Sequence, residues 1–242
     1  MPFTARSVLA SALLGMEPPA LPVAQLVRLS GLFGISGNRA RVALSRMVAA
    51  GEATNDGAGT YRLSGHLRER QARQSASRAG VTTPYAGRWW LAVVTTAGST
   101  AEVRTARRLA LSFARLAELR EGVWMRPDNV AVNLPGELNT DVELMTAHPH
   151  APERLVERLW DLQEWSCRAD DLLDGLATVN PDRADALAPG FELSASVLRH
   201  LQADPLLPEE LLPGHWPGRR LREDYARWDA RYRATLREWS RA

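Results

Sequence analysis

Between Ser36 and Arg46 the chain reads SGNRARVALSR, and six of these side chains, Ser36, Asn38, Arg39, Arg41, Ser45 and Arg46, can exchange hydrogen bonds with a base edge or a phosphate. A guanidinium donates two parallel bonds in a fixed fork that matches guanine O6 and N7 or a phosphate, and an Asn amide matches adenine. This is the chemistry of recognition, and patterns for bond-breaking chemistry are scarce. The sequence contains no phosphate-binding glycine loop, dinucleotide fingerprint or serine-nucleophile elbow. His148 and His150 with Glu143 have the donor types for a metal, but histidines flanking a proline between a strand and a helix are commonly just solvated, so no metal or other cofactor is expected. Cys167, mid-helix between Trp165 and Leu172, reads as a packed thiol rather than a nucleophile.

A recognition surface needs a rigid element to carry it. Ser36 is a good N-cap, Gly51 a good stop, and the residues between predict a helix through Val48. Ala40, Leu44, Met47 and Val48 recur at helical spacing and should pack inward, leaving Asn38, Arg41, Val42 and Ser45 outward with Arg39 and Arg46 at the flanks. Two helices precede it: Ser7 to Leu14, ended by Pro18 and Pro19, and a second entered at Pro22 that runs to about Leu32. Glu52 to Asn55, an Asp56-Gly57-Ala58-Gly59 turn and Thr60 to Leu63 then read as a hairpin whose return strand offers Arg62 to phosphate. Three helices and a hairpin predict a winged helix-turn-helix, with Ser36, Asn38, Arg39, Arg41, Val42, Ser45, Arg46 and Arg62 as the DNA-facing candidates. Ser64 caps an Arg-rich linker helix to about Ser77, which places the first domain at residues 1–76.

Charge is distributed to suit that reading. Residues 1–80 hold ten arginines against four acids, a balance of +6, whereas the remainder is −4. A basic end on an acidic body concentrates attraction for a polyanion at one end. All 30 basic residues are Arg and none is Lys, however, which points to codon bias, so arginine abundance alone says little. Apolar residues at 45% and charged residues at 24% are ordinary for a soluble protein, no run approaches the roughly 20 apolar residues of a membrane helix, and one cysteine fits a reducing cytoplasm. Ser7 to Met16 behind Arg6 is too short for a secretory leader and lacks a small-residue cleavage site.

Beyond Gly87, Arg88 to Thr96 and Gly122 to Pro127 read as strands, Asp141 to Ala147 as a third, with helices from Ser99 to about Leu116 and from Ala151 to Ala177. Their alternation predicts a ferredoxin-like sandwich over 87–178, followed by a helical domain over 179–242 punctuated by Pro205, Pro208, Pro213 and Pro217. The overall class is therefore α+β. Most of the eight tryptophans should be core, but Trp124, Trp160 and Trp216 fall beside charged or turn residues, where an aromatic wall suits a planar ligand. Arg126, Arg219 and Arg220 join them as candidate effector contacts.

Three stretches together resemble the PaaX family, the repressors of phenylacetic acid degradation. They are GISGNRARVALSRMVAAG from Gly34 to Gly51, LREGVWMRPDN from Leu119 to Asn129, and LVERLWDL from Leu155 to Leu162 with DPLLPEELLPGHWPGRRLRE from Asp204 to Glu223. The proline and tryptophan run of the last is the most specific of them. The resemblance implies an N-terminal winged helix, a middle ferredoxin-like domain akin to small CRISPR-associated nuclease-like proteins, and a helical C-terminal domain. It also implies a homodimer on a palindromic operator, released by an acyl-coenzyme A effector such as phenylacetyl-CoA. The sequence departs from that pattern at Gln202-Ala203, where an arginine-bearing, more aromatic stretch belongs. A rival reading builds a metal-dependent nuclease on the middle domain, but no Asp follows its first strand, where Thr95-Thr96-Ala97-Gly98 stands. A second rival is a winged-helix scaffold that binds protein; salt-dependent binding to promoter DNA would count against it.

Overall fold

The structure is a computed structural model that describes residues 4–16, 18–96, 98–138 and 140–241. Its contacts group into two compact units that interleave along the chain: residues 1–79, 169–202 and 218–242 form the first, and residues 80–168 and 203–217 the second. The class is α+β, with antiparallel sheets and a helical C-terminal region.

In the first unit, α1 (Ala5–Leu14) is capped by Thr4, whose hydroxyl accepts the Ser7 N–H, and buries Val8, Leu9, Ala12 and Leu13 along one face. β1 (Ala20–Pro22) follows, and Pro22 closes it while serving as N-cap of α2 (Val23–Gly31). The sequence reading places Pro22 in the first turn of a helix and passes over this strand. Its signal lies with its partner: Ala20 to Pro22 pair with Arg62 to Thr60, and the Leu63 N–H reaches the Pro19 carbonyl at 3.1 Å. α3 (Gly37–Ala49), β2 (Ala53–Asn55) and β3 (Thr60–Leu63) complete a bundle of three helices beside a small sheet of order β1-β3-β2. The β2–β3 turn is built by side chains, with Asn55 Oδ1 accepting the Gly57 N–H and Asp56 Oδ1 accepting those of Ala58 and Thr60. These two backbone bonds, Thr60 first, hold the Asp56 carboxyl below its usual range. α4 (Gly65–Ala79) leaves the sheet at a glycine with φ +53°, where a β-carbon would lie 2.7 Å from the Gly51 carbonyl oxygen.

The second unit is built on a four-stranded sheet. β4 (Trp89–Val94), α5 (Ala101–Phe113), β5 (Ala117–Arg120), β6 (Val123–Pro127) and β7 (Val142–Ala147) give the order β5-β6-β4-β7, with every neighbouring pair antiparallel. β5 follows α5 after only three residues, too few for the sequence pattern to separate the strand from the helix. Side chains alternate across the sheet. Trp89 and Met125 pack with Val156 and Leu207 on one face, while Ala92 and Trp124 pack with Leu111 and Val142 on the other. The single helix expected from 151 to 177 is two, α6 (Pro152–Leu159) and α7 (Leu162–Thr178), broken where Trp160 takes extended dihedrals. On α7, Trp165, Ala169, Leu172 and Leu176 form the buried stripe, which leaves Cys167 on the opposite side, exposed rather than packed.

α8 (Leu187–Ala203) and α9 (Gly218–Arg241) belong with the first unit, so the grouping differs from three consecutive domains at 1–76, 87–178 and 179–242. The helices meet closely at Gly190, where a β-carbon would lie 2.6 Å from Tyr232 Cε2. Phe33 contacts Phe191 with ring centroids 5.1 Å apart, and the Arg28 guanidinium lies 4.6 Å above the Trp239 ring. Between α8 and α9, the proline-punctuated segment 203–217 stays with the second unit.

Candidate nucleic-acid interface

The Ser36 hydroxyl accepts the Arg39 N–H and starts α3. Its inward face is Ala40, Ala43, Leu44 and Met47, and its outward face carries Asn38, Arg39, Arg41, Val42, Ser45 and Arg46. Val48, expected in the core, is 39% exposed; at 100° per residue it falls about 40° beyond Leu44, outside the stripe that Ala40 and Met47 centre. Val42 is 44% exposed, an apolar side chain held in water on an otherwise polar face.

The candidate residues divide into two flanks. Asn38, Arg39, Val42 and Arg46 line one groove together with Arg6 of α1 and Glu52. Arg41 turns the other way, back along the helix: a β-carbon at Gly37 would lie 3.2 Å from Arg41 Nη1 and 3.1 Å from Val27 Cγ1. The missing side chain at Gly37 thus lets the Arg41 guanidinium rest at the N-terminal end of α3. Arg62 is exposed on β3, and Ser45 is exposed between the flanks.

What matters electrostatically is which arginines are already spent. Arg6 forks onto Glu52 through Nε at 2.8 Å and through Nη2, with His66 3.7 Å from the same carboxylate. The Arg6 hydrogen bond is the main reason the Glu52 carboxyl is held below its usual range. Arg78 is bonded to Asp229 at 2.6 Å, and Arg73 lies 3.9 Å from Glu69. Among the described residues, Arg39, Arg41, Arg46 and Arg62 stand in no ion pair. The guanidinium groups of α3 and β3 are therefore unneutralised, as are those of Arg68 and Arg70 on α4, among the described residues.

The three expected effector tryptophans, all in the second unit, do not share one place. Trp124 is core on the α5 face of the sheet and edges a cleft of about 890 Å³ whose Arg107 and Arg108 are answered by Asp141 and Glu118. Trp160 packs against Trp89 on the opposite face, and Trp216 stacks on Trp165 with centroids 4.3 Å apart. Arg219 and Arg220 are exposed in the first turn of α9, in the other unit, where Arg220 lies 3.6 Å from Asp224.

Arg126 is a correction, because it is fully buried and offers no surface to a ligand. It donates to the carbonyls of Pro127 at 3.0 Å, Leu206 at 3.2 Å and Arg115 at 3.4 Å, and to Asn129 Oδ1 at 3.0 Å. Asn129 Nδ2 also reaches the Leu206 carbonyl, at 2.9 Å. Together they staple the 203–217 segment to β6. Burial, then the neighbouring Arg115 cation, pushes the Arg126 pKa well below the usual arginine value.

His148 and His150 line a shallow cleft beside Arg154 and Arg158, and no group of three or more potential ligands is gathered for a metal among the described residues. Within the described residues no helix is long and apolar enough to cross a membrane.

Comparison with known proteins then addresses kinship. No curated protein matches the chain. A solved structure of the uncharacterized protein Rv0674 from Mycobacterium tuberculosis is 39% identical, covers 99% of each chain and superposes with a TM-score of 0.78. The family model described as PaaX-like protein matches residues 4–67, and that described as PaaX-like protein C-terminal domain matches residues 154–241. The chain therefore belongs to the PaaX-like protein family, whose domains point to a transcriptional regulator.

Proposed function

We propose that the chain is a ligand-responsive transcriptional regulator that binds palindromic operator DNA as a homodimer through α3. The observation that carries this is the outward face of α3, where Arg39, Arg41 and Arg46 have no acidic partner among the described residues and Asn38 and Ser45 stand between them. A solvated structural helix has no need of three uncompensated cations on one short face, whereas a helix lying against phosphates does. In this reading α1 to α3 with β1-β3-β2 form a winged helix-turn-helix and the β2–β3 hairpin is the wing. The order β5-β6-β4-β7, antiparallel throughout, likewise supports a ferredoxin-like middle domain in which a loop bearing a short 3-10 turn at Gly136–Leu138 replaces the second crossover helix.

The roles follow from position. Arg41, folded over Gly37 at the N-terminal end of α3, stands where helix-turn-helix proteins touch base edges, and its fork fits guanine. Asn38 and Ser45 assist, and Val42 is placed for a thymine methyl. Arg39, Arg46 and Arg62 hold phosphates, and the Ser36 cap fixes the helix end. A dimer presents two such helices about 34 Å apart, matching successive major grooves. An effector releases the DNA by favouring an arrangement that breaks this spacing, since a ligand shifts states only by its differential affinity for them. An acyl-coenzyme A is the first candidate, and a screen of thioesters for release of bound DNA tests it.

Replacing Arg41 by Ala should cost about 1–3 kcal/mol of operator affinity and relax specificity at one base pair. Fluorescence anisotropy on a panel of single-base operator variants reads both effects. Unchanged affinity and unchanged base preference would refute the assignment.

A further inference from the structure

The first unit contains a cavity that the DNA-reading face does not use. It lies among α1, α4, α8 and α9, has a volume of about 260 Å³, and is walled by Leu14, Leu67, Phe191, Leu198 and Leu236. Its charged groups are Arg6, Arg70, Arg199 and Arg233 against a single carboxylate, Asp229. That carboxylate is 4% exposed and already committed, accepting from Arg78 at 2.6 Å and Arg233 at 2.8 Å, with the Tyr225 hydroxyl at 3.4 Å. Two guanidiniums on one buried carboxylate leave an excess positive charge. Arg70 and Arg199, both exposed, add to it, and neither forms an ion pair among the described residues.

An apolar chamber with an arginine-rich rim selects an amphipathic anion. Its hydrocarbon part gains by leaving water, and its charge is met by donors that no protein carboxylate satisfies. At about 260 Å³ the chamber stands at the small end of ligand pockets, the scale of one ring or a short chain. It cannot enclose the nucleotide and pantetheine arm of a coenzyme A thioester, which would have to lie outside. We infer that this cavity is a binding site for a small unconjugated monocarboxylic acid, its ring or chain against Leu14, Phe191 and Leu198 and its carboxylate toward Arg70 and Arg199.

The site has a direct mechanical consequence. α1 lines the cavity with Ala10, Ser11 and Leu14 and packs on α3, so an occupant that moves α1 moves the reading helix. This regulatory meaning rests on the DNA-binding function proposed above; the binding site itself does not.

Titration calorimetry on the DNA-free full chain tests it with benzoate and hexanoate, their neutral amides, and benzoyl-coenzyme A. Each acid should bind about tenfold or more tightly than its amide, because a charge-assisted bond is lost with the carboxylate. Arg70→Gln with Arg199→Gln, two exposed positions that leave the fold intact, should weaken the acids about tenfold and leave the amides unchanged. Ala195→Phe, on the α8 wall, should abolish binding of both while the circular dichroism spectrum is retained. Equal affinity for acid and amide, binding of the thioester alone, or undiminished acid binding in the arginine variant would overturn the inference. Acid binding in a protein that retains no DNA would instead refute the DNA-reading function and leave this site standing.

Discussion

Arg126→Met removes a buried cation and replaces it with an apolar side chain of similar length, and two opposing effects compete. Freeing a guanidinium from desolvation is favourable, and substituting a whole buried ion pair by apolar residues is often neutral or stabilising. Here, however, only one partner is removed. The Pro127 carbonyl and Asn129 Oδ1 lose donors at 3.0 Å, the Arg115 carbonyl loses a longer one, and the Leu206 carbonyl keeps only Asn129 Nδ2. Each buried acceptor left unsatisfied costs about 1–3 kcal/mol, so two good bonds and one long one outweigh the recovered desolvation and leave a net loss of about 3 kcal/mol. Urea denaturation followed by tryptophan fluorescence reads it, since Trp89, Trp124 and Trp160 all lie in the same unit. Operator affinity of the folded fraction should not change. A stability change below about 0.5 kcal/mol, or a stabilised variant, would refute the view that Arg126 staples the 203–217 segment. A selective loss of effector response with full stability would instead return Arg126 to the ligand contacts.

Gly190→Ala places a β-carbon 2.6 Å from a Tyr232 ring that is held in place, because its hydroxyl is bonded to the Leu187 carbonyl and it is stacked on Trp228, whose Cη2 lies 3.2 Å from the same β-carbon. Overpacking of about 1–3 kcal/mol exceeds the roughly 1 kcal/mol gained in helix propensity, so a lowered melting temperature is expected and a raised one would refute the close helix contact. For the Arg6 and Glu52 pair the sign is set by the carboxyl. Its folded pKa lies below the ordinary glutamate value of 4.5, so its stabilisation is complete above that value and is lost as pH falls through the folded one. Denaturation midpoints between pH 6 and pH 3 should therefore fall less steeply in Glu52→Gln than in the parent chain, and parallel profiles would exclude the pair as a source of acid sensitivity.

Helix α3 was legible because its inward and outward residues repeat every 3.6 positions and its cap and stop are local. Elements whose stability comes from distant partners were not. β1 exists because Arg62, some forty residues on, pairs with Ala20. β5 is a short run whose partner β6 decides its conformation. Arg126 looked like a ligand contact because arginines are seldom buried, and acceptors at Pro127 and Asn129 joined by carbonyls from distant Leu206 and Arg115 make its burial tolerable. Trp124 and Trp160 looked like one aromatic wall, yet strand alternation and the break after α6 put them on opposite faces of a sheet. Cys167 illustrates the same limit on one helix, since a two-residue step from Trp165 reverses the face.

The central claim is that the free charge of α3 and β3 meets DNA phosphate. Affinity for the promoter region of the chain's own gene, measured as a function of salt, tests it most directly. Arg39, Arg46 and Arg62 from two protomers would neutralise six phosphates and give a slope of log affinity on log salt of about −5. The triple alanine variant at these positions should lose most of that slope while keeping its fold. A parent chain with no salt-dependent affinity for that DNA, or a triple variant with the same slope, would contradict it.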